Sequence, residues 1–319
     1  MANYLVCTRN VEKGEFGSEP GATKFLKLPS NSRSPKPAHA IGKRDWVDEV
    51  LAEAVNGHNE VTGQDCGDIL VFVHGYNNSQ KTVMKRHNLL KTGLAKQGFG
   101  GVVVSFDWPS ADQALNYLED RSDAKYTAIT LVDDCIKIFS KIQNADCEVN
   151  VHLLAHSMGC YVIREGFDDA DDRKRISDNN WTVSQTLLIG ADISAESMSQ
   201  GNPKSSSLYR HSIRVTNYSN PFDSVLKISN VKRAGASRRV GRVGLPIDSP
   251  EKSVNVDCGE YYESGVRDED TNSHSWHFDD PVFMKDMFLT ISGNIDRNVL
   301  PTRFIDDDGF VCLQAGAHT

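Results

Sequence analysis

Five short apolar, β-rich runs recur along this chain: "ILVFV" (69–73), "VVVSF" (102–106), "VNVHLL" (149–154), "TLLIG" (186–190) and "SIRVTNY" (212–218). Amphipathic helical patterns, "QKTVMKRHNLLKTGLAKQ" and "YTAITLVDDCIKIFSKI", separate the first three. An apolar strand must be covered on both sides, and alternation with helices supplies that cover through βαβ units. The pattern predicts an α/β fold, a mostly parallel central sheet flanked by helices on both faces. Further strands are expected at "NYLVC", near "KFLKL" and at "SVNVDC", with a helix at "RDWVDEVLAEAV". Asp280 and Pro281 have the chemistry of an N-cap and a first-turn residue, and they open a late helix.

No repeat, low-complexity tract or clear linker interrupts the 319 residues, so one domain over 1–319 is expected. Within it, residues 1–66 supply N-terminal strands and a helix, 67–300 the core and 301–319 a C-terminal tail. Apolar residues at 39% and charged residues at 24% suit a globular chain with a real core. A net charge of −8 argues against a nucleic-acid binder, whose affinity rests on neutralising phosphates. No apolar run approaches the roughly 20 residues of a membrane span. The start, "MANYLVCTRNVEKGEF", lacks the pattern of a signal peptide. Seven cysteines without paired short spacing suggest reduced thiols, hence a cytoplasmic location. Neither CxxC nor HExxH occurs, so no protein-built metal site is expected. The oligomeric state is open, and a homo-oligomer is compatible with the sequence.

Ser157 sits where the run "VNVHLLAHSMG" turns into a helical pattern. A serine hydroxyl is a poor nucleophile without an adjacent base, an orienting acid and donors for the oxyanion. A sharp strand-to-helix turn lifts the hydroxyl clear and sets the next backbone amide, that of Met158, at a helix N-terminus. Crowding at such a turn demands small residues two positions either side, and Ala155 and Gly159 are both small. Alanine departs from the usual first glycine by one methyl. Upstream, "VFVHGYNNS" follows another strand, where this architecture makes the other half of an oxyanion hole. Gly75 permits the bend and the Tyr76 amide is the expected second donor. The plain alternative is a polar turn built by Gly75, Asn77 and Asn78. His74 is expected to brace this loop rather than carry protons.

With "VFVHGYNNS", "SFDWPS…YLEDRSDA", "HLLAHSMG" and "HSW" in this order, and an early "CTRN…FG", the chain resembles an uncharacterised α/β-hydrolase family of serine hydrolases. The resemblance spans most of the chain. It implies the α/β-hydrolase fold and a Ser–Asp–His order, and it implies no substrate. The acid is expected after the strand after next beyond the nucleophile, where Asp223 lies in "SIRVTNYSNPFDSVL". The resemblance points to the same turn. Asp192, in "LLIGADIS", is the competitor. For the base, "NSHSWHFDDPVF" offers His274 and His277, with His318 remote, and the His-Ser-aromatic signature of the family assigns His274. His277 is then a pocket-edge or helix-entry residue, and His156 packing.

The expected activity is cleavage of an ester-type acyl bond in a small molecule through an acyl-serine, without a cofactor. Carboxylesterase leads; lipase, thioesterase, amidase, acyltransferase and a non-catalytic binding protein of the same fold remain alternatives. A serine nucleophile argues against epoxide or haloalkane hydrolysis. Trp108, Tyr117 and Tyr126 either line the substrate site or pack as ordinary half-buried aromatics. The basic stretch "KRAGASRRVGRVG" is expected to be a solvated loop, and Cys160 a small core residue.

Overall fold

The computed structural model describes residues 2–110, 127–137, 147–173, 181–232 and 238–314. One sheet runs through it, built from β1 (Asn3–Glu12), β2 (Glu15–Leu28), β3 (Ala40–Ile41), β4 (Val55–Asn59), β5 (Gln64–Val73), β6 (Val102–Asp107), β7 (Cys147–His156), β8 (Val183–Ile189), β9 (Ser212–Ser219), β10 (Ser253–Asp257), β11 (Arg303–Ile305) and β12 (Val311–Leu313). The order is β11-β12-β10-β9-β8-β7-β5-β6-β1-β2-β3, with β4 paired to β5. From β1 through β6, β5, β7, β8, β9 and β10 to β12, every neighbouring pair is parallel. Antiparallel pairing is confined to the two edges and β4.

The longer helices with both ends described are α1 (Lys43–Ala54), α2 (Gln80–Lys96), α3 (Met158–Asp171), α4 (Pro203–His211), α5 (Ser224–Lys232) and α6 (Pro281–Ser292). The strands' period of two sorts their apolar residues between two layers. Ile69, Val71 and Val73 of β5 pack with Trp46 and Val50 of α1 and with Val162 and Phe167 of α3. Leu70 and Phe72 point the other way, onto Leu90 and Leu94 of α2 and Phe283 and Met287 of α6. Helices therefore cover both faces, and the central strands can be apolar on every residue. Asp280 caps α6 as expected, its carboxylate accepting from the Phe283 amide at 2.7 Å, with Pro281 in the first turn. Of the expected helix at 126–142, residues 127–137 are described and helical, with a wider π-turn over Val132–Ile136.

The sequence pattern misses three pieces. β2 is fourteen residues long, not the five of "KFLKL", because its first half is a solvent-facing edge with no apolar stripe. Pro20 in that half pairs with Arg9 at an irregularity of the ladder, where the missing amide costs little. β4 and the start of β5 form an exposed hairpin from a stretch with no strand signal. The segment from 301, expected as a tail, carries β11 and β12 and closes one edge of the sheet.

That edge is anchored by a buried ion pair. Arg303 grips Asp286 of α6 with two bonds, Nε to Oδ2 at 2.8 Å and Nη2 to Oδ1 at 2.6 Å, and neither side chain is exposed. Tyr218 and Thr302 donate to the same carboxylate at 2.7 and 2.6 Å, so its lone pairs are all used. Asp286→Ala strands a buried guanidinium, and we expect it to cost about 3–5 kcal/mol of stability. A urea unfolding curve whose midpoint moves by less than a tenth would contradict this account of the C-terminal hairpin.

Among the described residues no helix is long and apolar enough to cross a membrane, and the six cysteines that can be assessed are free thiols.

Candidate active site

The parallel strands β5, β7, β8 and β9 end on one rim of the sheet, and the candidate residues lie in the segments that leave those ends. Ser157 follows β7 and caps α3. Its φ of 57° and ψ of −122° put a non-glycine residue in left-handed territory. Three backbone bonds hold it there. Its N–H donates to Ile189 O at 2.9 Å, and its C=O accepts from Cys160 at 3.1 Å and from Asp192 at 3.2 Å.

The crowding argument for small neighbours now splits in two. A Cβ at Gly159 would lie 2.3 Å from Val73 O and 2.6 Å from His74 O, so glycine is obligatory. Ala155 is an ordinary strand residue paired with Val73 and Leu188. Its methyl joins the core, which explains why alanine is permitted. Across the turn, a Cβ at Gly75 would sit 2.7 Å from Ser157 Cβ, so Gly75 lets the upstream loop close onto the serine. Met158 begins α3, where a first-turn amide has no partner within its own helix.

His74 is fully buried beneath that loop. The Trp108 amide donates to its Nε2 at 3.2 Å, and its Nδ1 donates to Gly75 O at 2.9 Å. Burial lowers its pKa, which agrees with this neutral tautomer. Asp107 contacts the ring at 3.2 Å and pairs with buried Arg9 at 2.9 Å. Burial alone would raise the Asp107 carboxyl, but the buried Arg9 guanidinium outweighs it and holds the group at about 2. His74 thus braces the loop, as expected. Trp108 is buried too, stacked on His74 with its indole N–H on His74 O at 2.8 Å, so it packs rather than lines a pocket. Tyr117, Tyr126 and His318 lie outside the described residues.

His274 Nδ1 lies 2.6 Å from Asp223 Oδ2, both buried. Asp223 follows β9 in the turn before α5, and its other oxygen accepts from the Leu226 amide at 2.9 Å. Acid turn and base loop are stitched together. Asn220 Nδ2 donates to Ser273 O at 3.2 Å, and the Ser224 amide donates to Ser273 Oγ at 3.1 Å. Gly190, φ 51°, makes room for the pair, since a Cβ there would lie 3.2 Å from His274 Nδ1. Among the described residues Ser157 makes no side-chain hydrogen bond to His274. Bonds of this kind are often long or poorly aligned in sites without bound substrate.

The competing residues have other partners. Asp192 is ion-paired with Arg239 at 3.0 Å, both side chains 5% exposed. His277 is buried in the turn Trp276–Phe278 at the entry to α6, stacked on Trp276, and burial pulls its pKa well down. The basic stretch is not simply solvated. Arg239 is buried against Asp192, and Arg242 Nη1 donates to Asp223 O at 2.6 Å. Backbone bonds Val240 N to Ile193 O and Gly241 N to Ala191 O, 3.0 and 3.1 Å, strap this segment beside the site.

The sequence offered Asn78 only as a turn former and His156 as packing, and it did not single out Arg86. Asn78, Arg86 and His156 link the loops of Gly75 and His274 by side-chain bonds, and no local pattern betrays them. A cleft of about 450 Å³, lined in part by Phe222, Val225, Tyr262 and Ser273, opens beside the acid turn and base loop. Among the described residues no group of three or more His, Cys, Asp or Glu side chains is arranged to hold a metal ion.

A family model described as "Alpha/beta hydrolase of unknown function (DUF900)" matches residues 52–259. Among solved structures, a putative hydrolase from Agrobacterium vitis S4 is similar at 11% identity and a TM-score of 0.42, over 92% of this chain and 98% of that one. A hyperthermophilic esterase from Pyrobaculum calidifontis has 12% identity and a TM-score of 0.39, over 92% and 83%. Aspergillus fumigatus lipase B has 12% and 0.36, over 82% and 57%. At those scores these three likenesses carry no argument about activity. No curated protein matches the sequence.

Proposed function

The chain belongs to the family of alpha/beta hydrolases of unknown function, and from that premise we propose that it is a serine hydrolase of ester-type acyl bonds, a carboxylesterase. The observation that carries the reading is the buried 2.6 Å contact between His274 and Asp223, on the same rim of the sheet as the strained Ser157 turn. Asp223 fixes the imidazole with its proton on Nδ1, leaving Nε2 to act as base.

In this reading Ser157 Oγ attacks the acyl carbonyl and passes its proton to His274 Nε2. The carbonyl electrons move to oxygen, and the amides of Tyr76 and Met158 donate to the oxyanion. Collapse breaks the ester C–O bond, and the leaving alkoxide takes the proton from His274. Water, deprotonated by the same nitrogen, then attacks the acyl-serine; collapse breaks the acyl–Oγ bond, Ser157 Oγ takes the proton back from Nε2, and the acid leaves. Each step needs only side chains and amides of this chain and a water molecule.

A fluorophosphonate probe reacts with activated serines and tests the reading directly. We expect covalent labelling at Ser157, located by peptide mass spectrometry, and loss of labelling after heat denaturation. Folded protein that stays unlabelled over hours while a control esterase labels in minutes would sink the proposal.

A further inference from the structure

Arg86 lies in α2, outside both loops of the candidate site, yet contacts from each converge on it. Its Nη1 donates to Asn78 Oδ1 at 2.7 Å and to His156 Nδ1 at 3.4 Å. Its guanidinium carbon stands 4.8 Å above the centre of the Phe278 ring, in the turn that follows His274. Burial pulls its pKa down to about 10, which still leaves it cationic at neutral pH.

The two intermediaries each have one assignment that satisfies their neighbours. Asn78 donates from Nδ2 to Gly75 O at 2.7 Å and to Tyr76 O at 2.9 Å. A flipped amide would aim its oxygen at two carbonyls and its NH₂ at a cation, so the orientation is fixed. His156 Nε2 lies 2.7 Å from His274 O, and a carbonyl accepts only, so this nitrogen carries the proton. Its Nδ1 is then the acceptor that Arg86 requires. Burial first, then the nearby Arg86 and His274, lower the His156 pKa far below its usual value and keep the ring neutral.

We infer that Arg86 is a positioning residue that ties the oxyanion loop, through Asn78, to the base loop, through His156 and Phe278. Its consequence for turnover rests on the hydrolase reading; the mechanical link does not. The Tyr76 amide, one of the two proposed oxyanion donors, and the imidazole that moves the proton come from loops about two hundred residues apart in sequence, at Gly75 and His274. An error of about 1 Å between such groups costs roughly 100-fold in rate. The guanidinium serves two acceptors from one nitrogen while its carbon stands over the ring, which a lysine ammonium does not reproduce.

The test combines hydrogen exchange with ester kinetics on Arg86→Met, Arg86→Lys, Asn78→Ala and His156→Phe. In Arg86→Met the amides of 74–79 and 272–278 are expected to exchange at least about tenfold faster. Asn78→Ala should loosen only the first segment and His156→Phe only the second. Turnover in Arg86→Met should fall about 100-fold with KM within about threefold. Should that variant fail to fold, Arg86→Lys, which keeps the charge and stem, is expected to loosen at least one segment and lower kcat about tenfold. Exchange unchanged in both segments, or wild-type exchange and kcat in Arg86→Lys, overturns the inference. Paired loosening in a protein whose wild type hydrolyses no ester upholds the link and refutes the proposed chemistry instead.

Discussion

Ser157→Ala is expected to lower kcat for ester hydrolysis by on the order of 10⁵–10⁶-fold, leaving only what binding and the oxyanion donors supply. The size follows from the role. If the nucleophile is absent, water must attack without a covalent intermediate and the His274–Asp223 pair has no hydroxyl to activate. Ser157→Gly should remove activity to the same extent while doing something alanine does not. The position has a φ of 57°, which glycine adopts without penalty. Relief of that strain is expected to raise stability by about 1 kcal/mol, read as a later unfolding midpoint in urea. A later midpoint with activity lost would support the proposal that this backbone geometry, held by three main-chain bonds, serves the reaction and not the fold. Hydrolysis of a p-nitrophenyl ester panel unchanged in both variants would remove Ser157 from the mechanism.

The reach of the sequence can be judged residue by residue. The central strands were legible because residues 69–73 are covered on both sides and must all be apolar. Ser157 was legible because the strand-to-helix turn imposes a local demand for small neighbours. The fold then refines that demand, making Gly159 obligatory and Ala155 acceptable. The first half of β2 was illegible because an edge strand facing water needs no apolar stripe. β11 and β12 have three residues each, too few for periodicity to register. The shell of the candidate site was illegible for another reason. Asn78, Arg86 and His156 owe their positions to tertiary contacts between α2, β7 and two loops. A histidine beside a serine, or an arginine in a helix, has no local signature of its partners. The same holds for Arg239 and Arg242, which looked like a solvated basic loop and instead hold Asp192 and the Asp223 turn.

Asp223→Asn and Asp192→Asn should fail in different ways, and the contrast tests the choice of acid. Asp223 accepts from His274 Nδ1 at 2.6 Å and from the Leu226 amide at 2.9 Å. An asparagine there can turn its NH₂ toward the imidazole. That favours the tautomer with the proton on Nε2 and leaves no base for Ser157. The expected loss in kcat is about 10⁴-fold with KM little changed, since the shape of the site is kept. Asp192 has a different duty, because its carboxylate faces Arg239 at 3.0 Å in a buried pair. Removing that charge takes the carboxylate away from a buried guanidinium, and the expected cost is about 3 kcal/mol of stability. Turnover of the folded fraction should fall by less than about tenfold, because the His274–Asp223 contact survives. Paired urea melts and steady-state kinetics separate the two. The reverse pattern, with turnover lost at Asp192 and kept at Asp223, would transfer the orienting role to Asp192. It would also require the loop carrying His274 to move away from Asp223 when substrate binds.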